Sequence, residues 1–123
     1  MGHNNMMISK VYISHSPQDE DLALQLSRAL WRVGLESYAA LYQLTPAISL
    51  AERVSFGIRN SECLVALVTE KGAASPELCQ EIGLARGLDM LIIPFLADGA
   101  RLPFLIDHLR AIIFKEDGFS DAV

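Results

Sequence analysis

The chain has 123 residues, a formal net charge of −5 at pH 7 and a hydrophobic fraction of 51%. This length and composition fit one globular domain with a single core, and they exclude a disordered chain. The 10 basic residues are scattered among 15 acidic ones, which excludes a nucleic-acid-binding surface. The sequence has no apolar run long enough for a membrane span and no secretory signal pattern, so we expect a soluble cytoplasmic domain without membrane partners.

The first third of the chain has the pattern of a strand followed by a helix. Residues 7–14 (MISKVYIS) are β-branched and apolar, as in a buried strand, and residues 1–6 are expected to be flexible. Ser16 and Pro17 form an N-cap and a first-turn proline, and helical apolar spacing continues to Gly34. The pattern therefore predicts a helix with a defined start and end.

A short strand, a loop and a second helix are predicted next. Residues 35–40 have a weak strand pattern, and residues 41–48 form an unusually apolar loop. A capping box from Ser49 to Glu52 predicts the start of the following helix. We interpret the loop either as folding back on the core or as a contact surface for a ligand or partner.

Three further strands are predicted in the second half of the chain, at residues 63–69, 90–96 and 111–114. Pro94 indicates that the second of these lies near a sheet edge or ends early. Pro103 predicts one helical turn before the last strand. The two cysteines match neither a disulfide framework nor a metal-ligand spacing, so we interpret both as reduced core residues and expect no metal.

The helix between the third and fourth strands carries an acidic residue that a purely structural helix does not require. Ser75 is an N-cap, Pro76 suits the first helical position, and the helix is expected to end at Gly87. Glu81 lies at the border of the apolar face, one turn after Glu77, so we expect a half-buried carboxylate. If this face lines a cleft, partial burial and the like charge should disfavour ionisation of Glu81. The alternative is an ordinary solvated helix glutamate.

Strands and helices alternate without hairpin signals, which predicts an α/β fold with a parallel sheet and helices on both faces. For five strands we expect the flavodoxin-like, doubly wound order 2-1-3-4-5, in one domain over residues 7–116 with a tail at 117–123. Ligands in such sheets bind at the carboxyl ends of the strands, between strands 1 and 3. Ser14, His15 and Ser16 end strand 1, so the topology should bring them to one crevice with the acidic helix.

In the amino-terminal half, the sequence resembles the TIR domain, a flavodoxin-like module of immune signalling and of bacterial and archaeal defence. Residues 10–16 (KVYISHS) are similar to the first conserved box of that family. The Gly-Leu pair at 34–35 is similar to the start of its second strand, and residues 41–48 occupy the place of its BB loop. The resemblance extends over roughly residues 8–115 and implies the same fold as the strand pattern.

The acidic helix resembles the family's serine-x-tryptophan-x-x-x-glutamate motif. Ser75 and Glu81 stand six residues apart, as the motif requires, but Glu77 holds the position of the tryptophan. In the BB loop, Pro-Ala at 46–47 replaces the proline-glycine often found in the family.

The resemblance implies an NAD+ glycohydrolase in which Glu81 is the catalytic residue and NAD+ is the substrate, with no further cofactor. Cleaving the nicotinamide–ribose bond develops oxocarbenium character, which a carboxylate stabilises. Because nicotinamide is already a good leaving group, neither a metal nor a general acid is required. Attack by water would give ADP-ribose, and attack by a group of the same molecule would give a cyclic product.

The candidates for substrate binding are residues placed around the expected crevice by position or by the motif: Ser14, His15, Ser16, Tyr38, Leu41, Ser75 and Glu77. For Ser16 a role as helix cap is the alternative, and His15 is equally consistent with a loop histidine that its neighbours satisfy. Tyr38 and Leu41 could stack on a ring, with core packing as the alternative. We interpret Trp31, beside the apolar stripe of the first helix, as a packing residue.

Three functional hypotheses follow from this resemblance and this sheet. The first is an NAD-consuming enzyme that is active when subunits associate. The second is a non-enzymatic interaction module that assembles with itself or with other TIR domains through residues 41–48. Glu81 favours the enzyme, since adaptor-type members need no acidic residue there. The third is a nucleoside deoxyribosyltransferase-like enzyme with the same sheet and a catalytic glutamate. The sequence of the first box and the BB-like loop argue against this third hypothesis.

Overall fold

The computed structural model describes residues 8–40 and 47–115. The expectations for the flexible terminus at 1–6, for the tail at 117–123 and for most of the 41–48 loop lie outside these residues. The strands are β1 (Lys10–Ser14), β2 (Glu36–Ala39), β3 (Cys63–Val68), β4 (Leu91–Ala97) and β5 (Ile112–Phe114). The helices are α1 (Glu20–Arg32), α2 (Ala47–Arg59) and α3 (Pro76–Gly87), with 3₁₀ turns at Pro17–Asp19 and Phe104–Ile106.

The five strands form one parallel sheet in the order β2-β1-β3-β4-β5, as predicted. Tyr12 in β1 pairs with Tyr38 in β2 and with Leu64 in β3. The reversal of winding therefore falls between β1 and β3. This junction places the end of β1 beside the connection from β3 to α3.

Each face of the sheet carries its own core, so helices cover both faces as predicted. The period of two along a strand sends neighbouring residues to opposite faces. In β1, Val11 and Ile13 pack in the core under α1, whereas Tyr12 packs in the core with Ile58 of α2 and Ile82 of α3. β3 is buried at all six positions because both of its faces are covered.

The predicted start of the second helix is wrong in position. α2 begins at Ala47, two residues before the predicted N-cap at Ser49. The sequence offers an earlier start signal in Thr-Pro at 45–46, which outweighs the capping box. The first helical segment starts where predicted, with Ser16 in the N-cap position and Pro17 in the first turn, but this turn is a 3₁₀ helix and the Ser16 hydroxyl makes no capping hydrogen bond to it.

The prediction for Pro94 is confirmed in part, and the prediction for the cysteines needs correction. β4 runs through Ala97, so Pro94 does not mark an early end, but β4 lies next to the edge strand β5 and is thus near the sheet edge as predicted. In the described part of the chain, β5 pairs only with Phe95–Ala97, and Pro94 therefore lies where the β5 side of β4 has no ladder. Of the two free cysteines, Cys63 is buried, and burial raises its pKa to about 11. The prediction that Cys79 is a core residue is wrong, because its side chain is only half-buried.

No helix within residues 8–40 and 47–115 is long and apolar enough to cross a membrane.

Candidate functional site

Glu81 lies on the side of α3 that faces β1, and only 5% of its surface is exposed. Its Oε1 accepts a hydrogen bond of 2.7 Å from the Ser14 hydroxyl, which comes from the carboxyl end of β1. The expectation of a half-buried Glu81 is therefore wrong, because the helix border that carries it is covered by the sheet. A buried carboxylate needs such donors, since burial removes it from water.

Tyr12 is the second strand residue at Glu81. It stands two positions before Ser14, so both side chains point to the same face of β1. Burial raises the pKa of the Tyr12 phenol far above its ordinary value, and the neighbouring Glu81 carboxylate raises it further. A hydrogen-bonding interaction with Glu81 also raises this pKa, although the contact of the Tyr12 hydroxyl does not meet full hydrogen-bond geometry. Tyr12 therefore stays a neutral phenol beside the carboxylate.

A cavity of about 300 Å³ opens between α2 and α3, and Glu81 forms part of its wall. We call it the Glu81 cavity. Its size is at the lower end of the range for small-molecule sites. The wall includes Leu50, Val54 and Ser55 from α2 and Glu77, Glu81 and Leu84 from α3.

The start of α3 has the predicted cap. The Ser75 hydroxyl accepts a hydrogen bond from the Leu78 amide at 3.3 Å and donates one to Glu77 Oε1 at 3.0 Å. Glu77, in the position of the motif's tryptophan, lines the Glu81 cavity. Ser75 thus orients both the first turn of the helix and a polar residue of the cavity wall.

His15 is buried at the end of β1. Its Nδ1 lies 2.7 Å from the Ser16 carbonyl oxygen, and its Nε2 lies 3.2 Å from the Ala40 carbonyl oxygen. Since carbonyl oxygens only accept, a ring nitrogen that bonds to either of them is the donor. These contacts match the alternative that neighbours satisfy His15, and this residue is not among the described residues of the Glu81 cavity.

Ser16 belongs to a separate polar cluster that joins the loops after β1 and β3. Its hydroxyl donates to Asp19 Oδ2 at 3.0 Å, and the Thr69 hydroxyl donates to the same oxygen at 2.8 Å. The Gly72 amide donates to Thr69 Oγ1 at 3.0 Å. Part of the crevice predicted at this junction is therefore occupied by the protein's own side chains.

Tyr38 lies in the edge strand β2 and is 36% exposed, so core packing does not describe it. It lines a second cavity of about 560 Å³, between the end of β2 and α2. Tyr12 lines this cavity too, so it reaches both the cavity and the surroundings of Glu81. The last candidate, Leu41, lies outside the described residues.

Sequence reasoning missed Tyr12 and Asp19. Tyr12 could have been found from the alternation in β1, which places it on the face of Ser14. Asp19 gave no such signal, because its partners Ser16 and Thr69 come from loops whose contact depends on the folded sheet. No group of three or more histidine, cysteine or acidic side chains within the described residues is placed to hold a metal ion.

A family model described as the TIR domain matches residues 11–123. The chain belongs to the TIR domain family. The match covers every strand and helix described above except the first residue of β1. The resemblance stated from the sequence is thus confirmed.

Solved structures share the fold of this TIR domain. The TIR domain of the Toll-related receptor TRR-2 from Hydra magnipapillata has a TM-score of 0.63 and 24% identity, over 85% of this chain and 82% of that one. The TIR domains of the activated Roq1 resistosome, which directly recognises the pathogen effector XopQ, have a TM-score of 0.58 and 18% identity. This match covers 73% of this chain and 58% of that one. The CMP N-glycosidase BcmB from Clostridium botulinum has a TM-score of 0.65 and 20% identity, over 92% of this chain and 96% of that one. No curated protein matches the chain significantly.

Proposed function

We propose that this TIR domain is an NAD+ glycohydrolase with Glu81 as its catalytic carboxylate. The observation that carries the proposal is a buried glutamate that lines a cavity and is held by a hydrogen bond from β1. A structural helix position would not need an acidic residue that the fold must desolvate and then satisfy. NAD+ is the substrate, and the chemistry requires no cofactor or metal.

The reaction breaks the bond between C1′ of the ribose and the nicotinamide nitrogen. Both bonding electrons leave with nicotinamide, which neutralises its pyridinium charge, and positive charge develops on the ribose. The Glu81 carboxylate stabilises that charge, and the low dielectric of a buried site strengthens the interaction. Water then bonds to C1′ and loses a proton, which gives ADP-ribose; a nucleophile of the same molecule would give a cyclic product instead.

Two side chains of β1, Ser14 and Tyr12, support this role of Glu81. The Ser14 hydrogen bond fixes one carboxylate oxygen, so the side chain is oriented before substrate arrives. The Tyr12 phenol is neutral, so it lies beside the Glu81 carboxylate without adding a second negative charge. This assigns Ser14 to positioning Glu81, in place of the substrate contact expected from the sequence. Glu77 keeps a proposed place in the wall of the substrate site, and Ser75 orients it through a hydrogen bond.

The test is nicotinamide release from NAD+ by concentrated wild-type protein and by Glu81→Gln. Loss of one buried stabilising charge should lower turnover by about 10²-fold or more. Glu70→Gln is the matched control, because Glu70 is exposed in the loop after β3 and lies outside the cavity. Retained turnover in a folded Glu81→Gln protein would overturn the assignment, and product masses would separate hydrolysis from cyclisation.

A second candidate is hydrolysis of the N-glycosidic bond of a nucleoside monophosphate. The similarity of the fold to a CMP N-glycosidase supports it, as does the small volume of the Glu81 cavity. The same glutamate would stabilise the same kind of ribosyl cation, so only the base and the phosphate differ. Cytosine release from CMP, measured beside NAD+ in the same experiment, decides between the two substrates.

The non-enzymatic alternative is a module that assembles through residues 41–48. Its support is the family itself, together with the assembled TIR domains of the Roq1 resistosome. No turnover of either substrate, in dispersed and in concentrated protein, would favour this alternative. For either function we propose a role in signalling or defence. For the NAD+ glycohydrolase we also propose a cytoplasmic location, where NAD+ is available.

A further inference from the structure

A groove of about 670 Å³ runs between the carboxyl-terminal half of α1 and the edge strand β2. We call it the α1–β2 groove. It is larger than the Glu81 cavity and shares none of its described lining residues. Its wall includes Arg28, Trp31 and Arg32 from α1 and Glu36, Ser37 and Tyr38 from β2. The Glu36 carboxylate lies 3.9 Å from Lys10 Nζ, which offsets its charge.

Two cations face this groove in a protein whose net charge is negative. Arg28 and Arg32 are one helical turn apart, so their side chains extend from the same face of α1. Both are exposed, and neither forms an ion pair with a described residue. Two arginines at this spacing can donate to one phosphate group from two sides, which a planar guanidinium does well.

Trp31 lies between the two arginines in the sequence and is 67% exposed. Its predicted role in packing is therefore wrong, because the helix turns its indole ring away from the core and into the groove wall. An exposed indole offers a face on which a planar base can stack. Tyr38, which also lines the groove, is a second exposed aromatic side chain.

The groove is formed before any ligand arrives. The hydroxyls of Ser27 and Ser37 are hydrogen-bonded at 2.6 Å, which fixes α1 against β2. The turn between them is tight, since the Leu35 amide donates to the Leu30 carbonyl at 2.9 Å and Gly34 has a φ of +89°. A fixed site loses less entropy when it binds a ligand.

We propose that the α1–β2 groove is a nucleotide-binding site separate from the Glu81 cavity. Arg28 and Arg32 hold the phosphate, and Trp31 stacks on the base. The volume lies within the range of small-molecule sites, and a nucleotide combines the anion and the planar ring that the walls provide. Because Tyr38 also lines the cavity that Tyr12 reaches, a nucleotide in the groove contacts a residue close to the surroundings of Glu81.

Trp31 is the only tryptophan in the chain, so its fluorescence reports on this groove alone. The experiment titrates the full-length Glu81→Gln protein with AMP, adenosine and inorganic phosphate, with excitation at the red edge of the indole band where adenine does not absorb. The Glu81→Gln background separates binding in the groove from turnover, so the result does not depend on the proposed function.

We expect a saturable change in emission with AMP, weaker binding of adenosine and of phosphate, and competition from added salt. Arg28→Gln and Arg32→Gln should each weaken AMP binding by about tenfold or more. Arg86→Gln, on the far helix α3, should leave it unchanged. An emission change that follows protein concentration and ignores AMP would show an interface between copies and overturn the proposal. Equal affinity in the Arg28, Arg32 and Arg86 variants would overturn it too.

Discussion

At the scale of single residues, the site depends on one buried hydrogen bond between a strand and a helix. Ser14 and Glu81 are 67 residues apart in the chain, and their contact at 2.7 Å exists only in the folded sheet. Removing the donor leaves a buried carboxylate with one bond fewer. Such a loss costs more than the bond itself contributes, because the remaining group keeps its desolvation penalty.

We predict that Ser14→Ala lowers the free energy of unfolding by about 1–3 kcal/mol. It should also lower nicotinamide release, since Glu81 loses its orientation. In the Glu81→Gln background the same substitution should cost less, because the charged acceptor is gone. Urea denaturation of the four proteins in this cycle measures the coupling. Ser61→Ala is the control, as the Ser61 hydroxyl donates to the carbonyl of Gly57 in a helix turn. Additive effects would contradict the pairing of Ser14 with Glu81.

The sequence located these residues better than it described their surroundings. Helical spacing placed Glu81 at the border of the apolar face, but spacing within one helix does not say which element covers that border. The end of β1 was expected at the same crevice, and Ser14 is there, whereas His15 contacts the carbonyl oxygens of Ser16 and Ala40 and Ser16 donates to Asp19. Those contacts depend on loop conformations that short-range patterns do not encode.

At the scale of elements, α2 must approach the sheet closely enough to pack on the ring of Tyr12. Gly57 makes this approach, because a Cβ atom there would lie 2.9 Å from Tyr12 Cε2 and 3.0 Å from Cδ2. The ring is buried against β3 and α3 and has little room to move. The position of α2 and the position of the phenol beside Glu81 are therefore linked.

We predict that Gly57→Ala destabilises the domain by about 1–3 kcal/mol through overpacking, in spite of the better helix propensity of alanine. Nicotinamide release should fall as well, because Tyr12 is displaced from Glu81. Gly83→Ala in α3 is the matched control: among the described residues its Cβ would meet only Leu105 Cδ1, at 4.0 Å, so it should stabilise by up to about 1 kcal/mol. Thermal unfolding of both variants is the measurement. A Gly57→Ala protein as stable as wild type would show that α2 moves freely over Tyr12.

Most elements were predictable because the chain marks their ends with local signals. Ser75 and Pro76 start α3 as expected, and Pro103 precedes the predicted turn at Phe104–Ile106. The start of α2 was misplaced because two start signals lie within a few residues of each other. The exposure of Trp31 was missed for a different reason: β2 is an edge strand, so nothing described covers that side of α1.

At the scale of the whole molecule, the alternation of strands and helices predicts the strand order, but it does not predict how copies of the domain assemble. Ligands bind at one end of a sheet of order 2-1-3-4-5, and the connection from β2 to α2 (residues 40–46) leaves β2 at that same end. The sequence here is apolar, with leucine at 41 and 44, and isoleucine at 48 follows in the first turn of α2. Apolar residues in such a connection fit a contact between TIR domains, so activity should depend on assembly.

We predict that nicotinamide release per protomer rises with protein concentration in wild type, since association follows mass action. Leu44→Asp should flatten this dependence and lower the mass seen by light scattering, while the circular dichroism spectrum stays that of a folded domain. Leu24→Asp is the control, because Leu24 is an exposed leucine on α1 and does not line the α1–β2 groove. If Leu44→Asp and wild type share one concentration dependence, the loop has no part in assembly. The proposed activity of Glu81 would then need no partner copy.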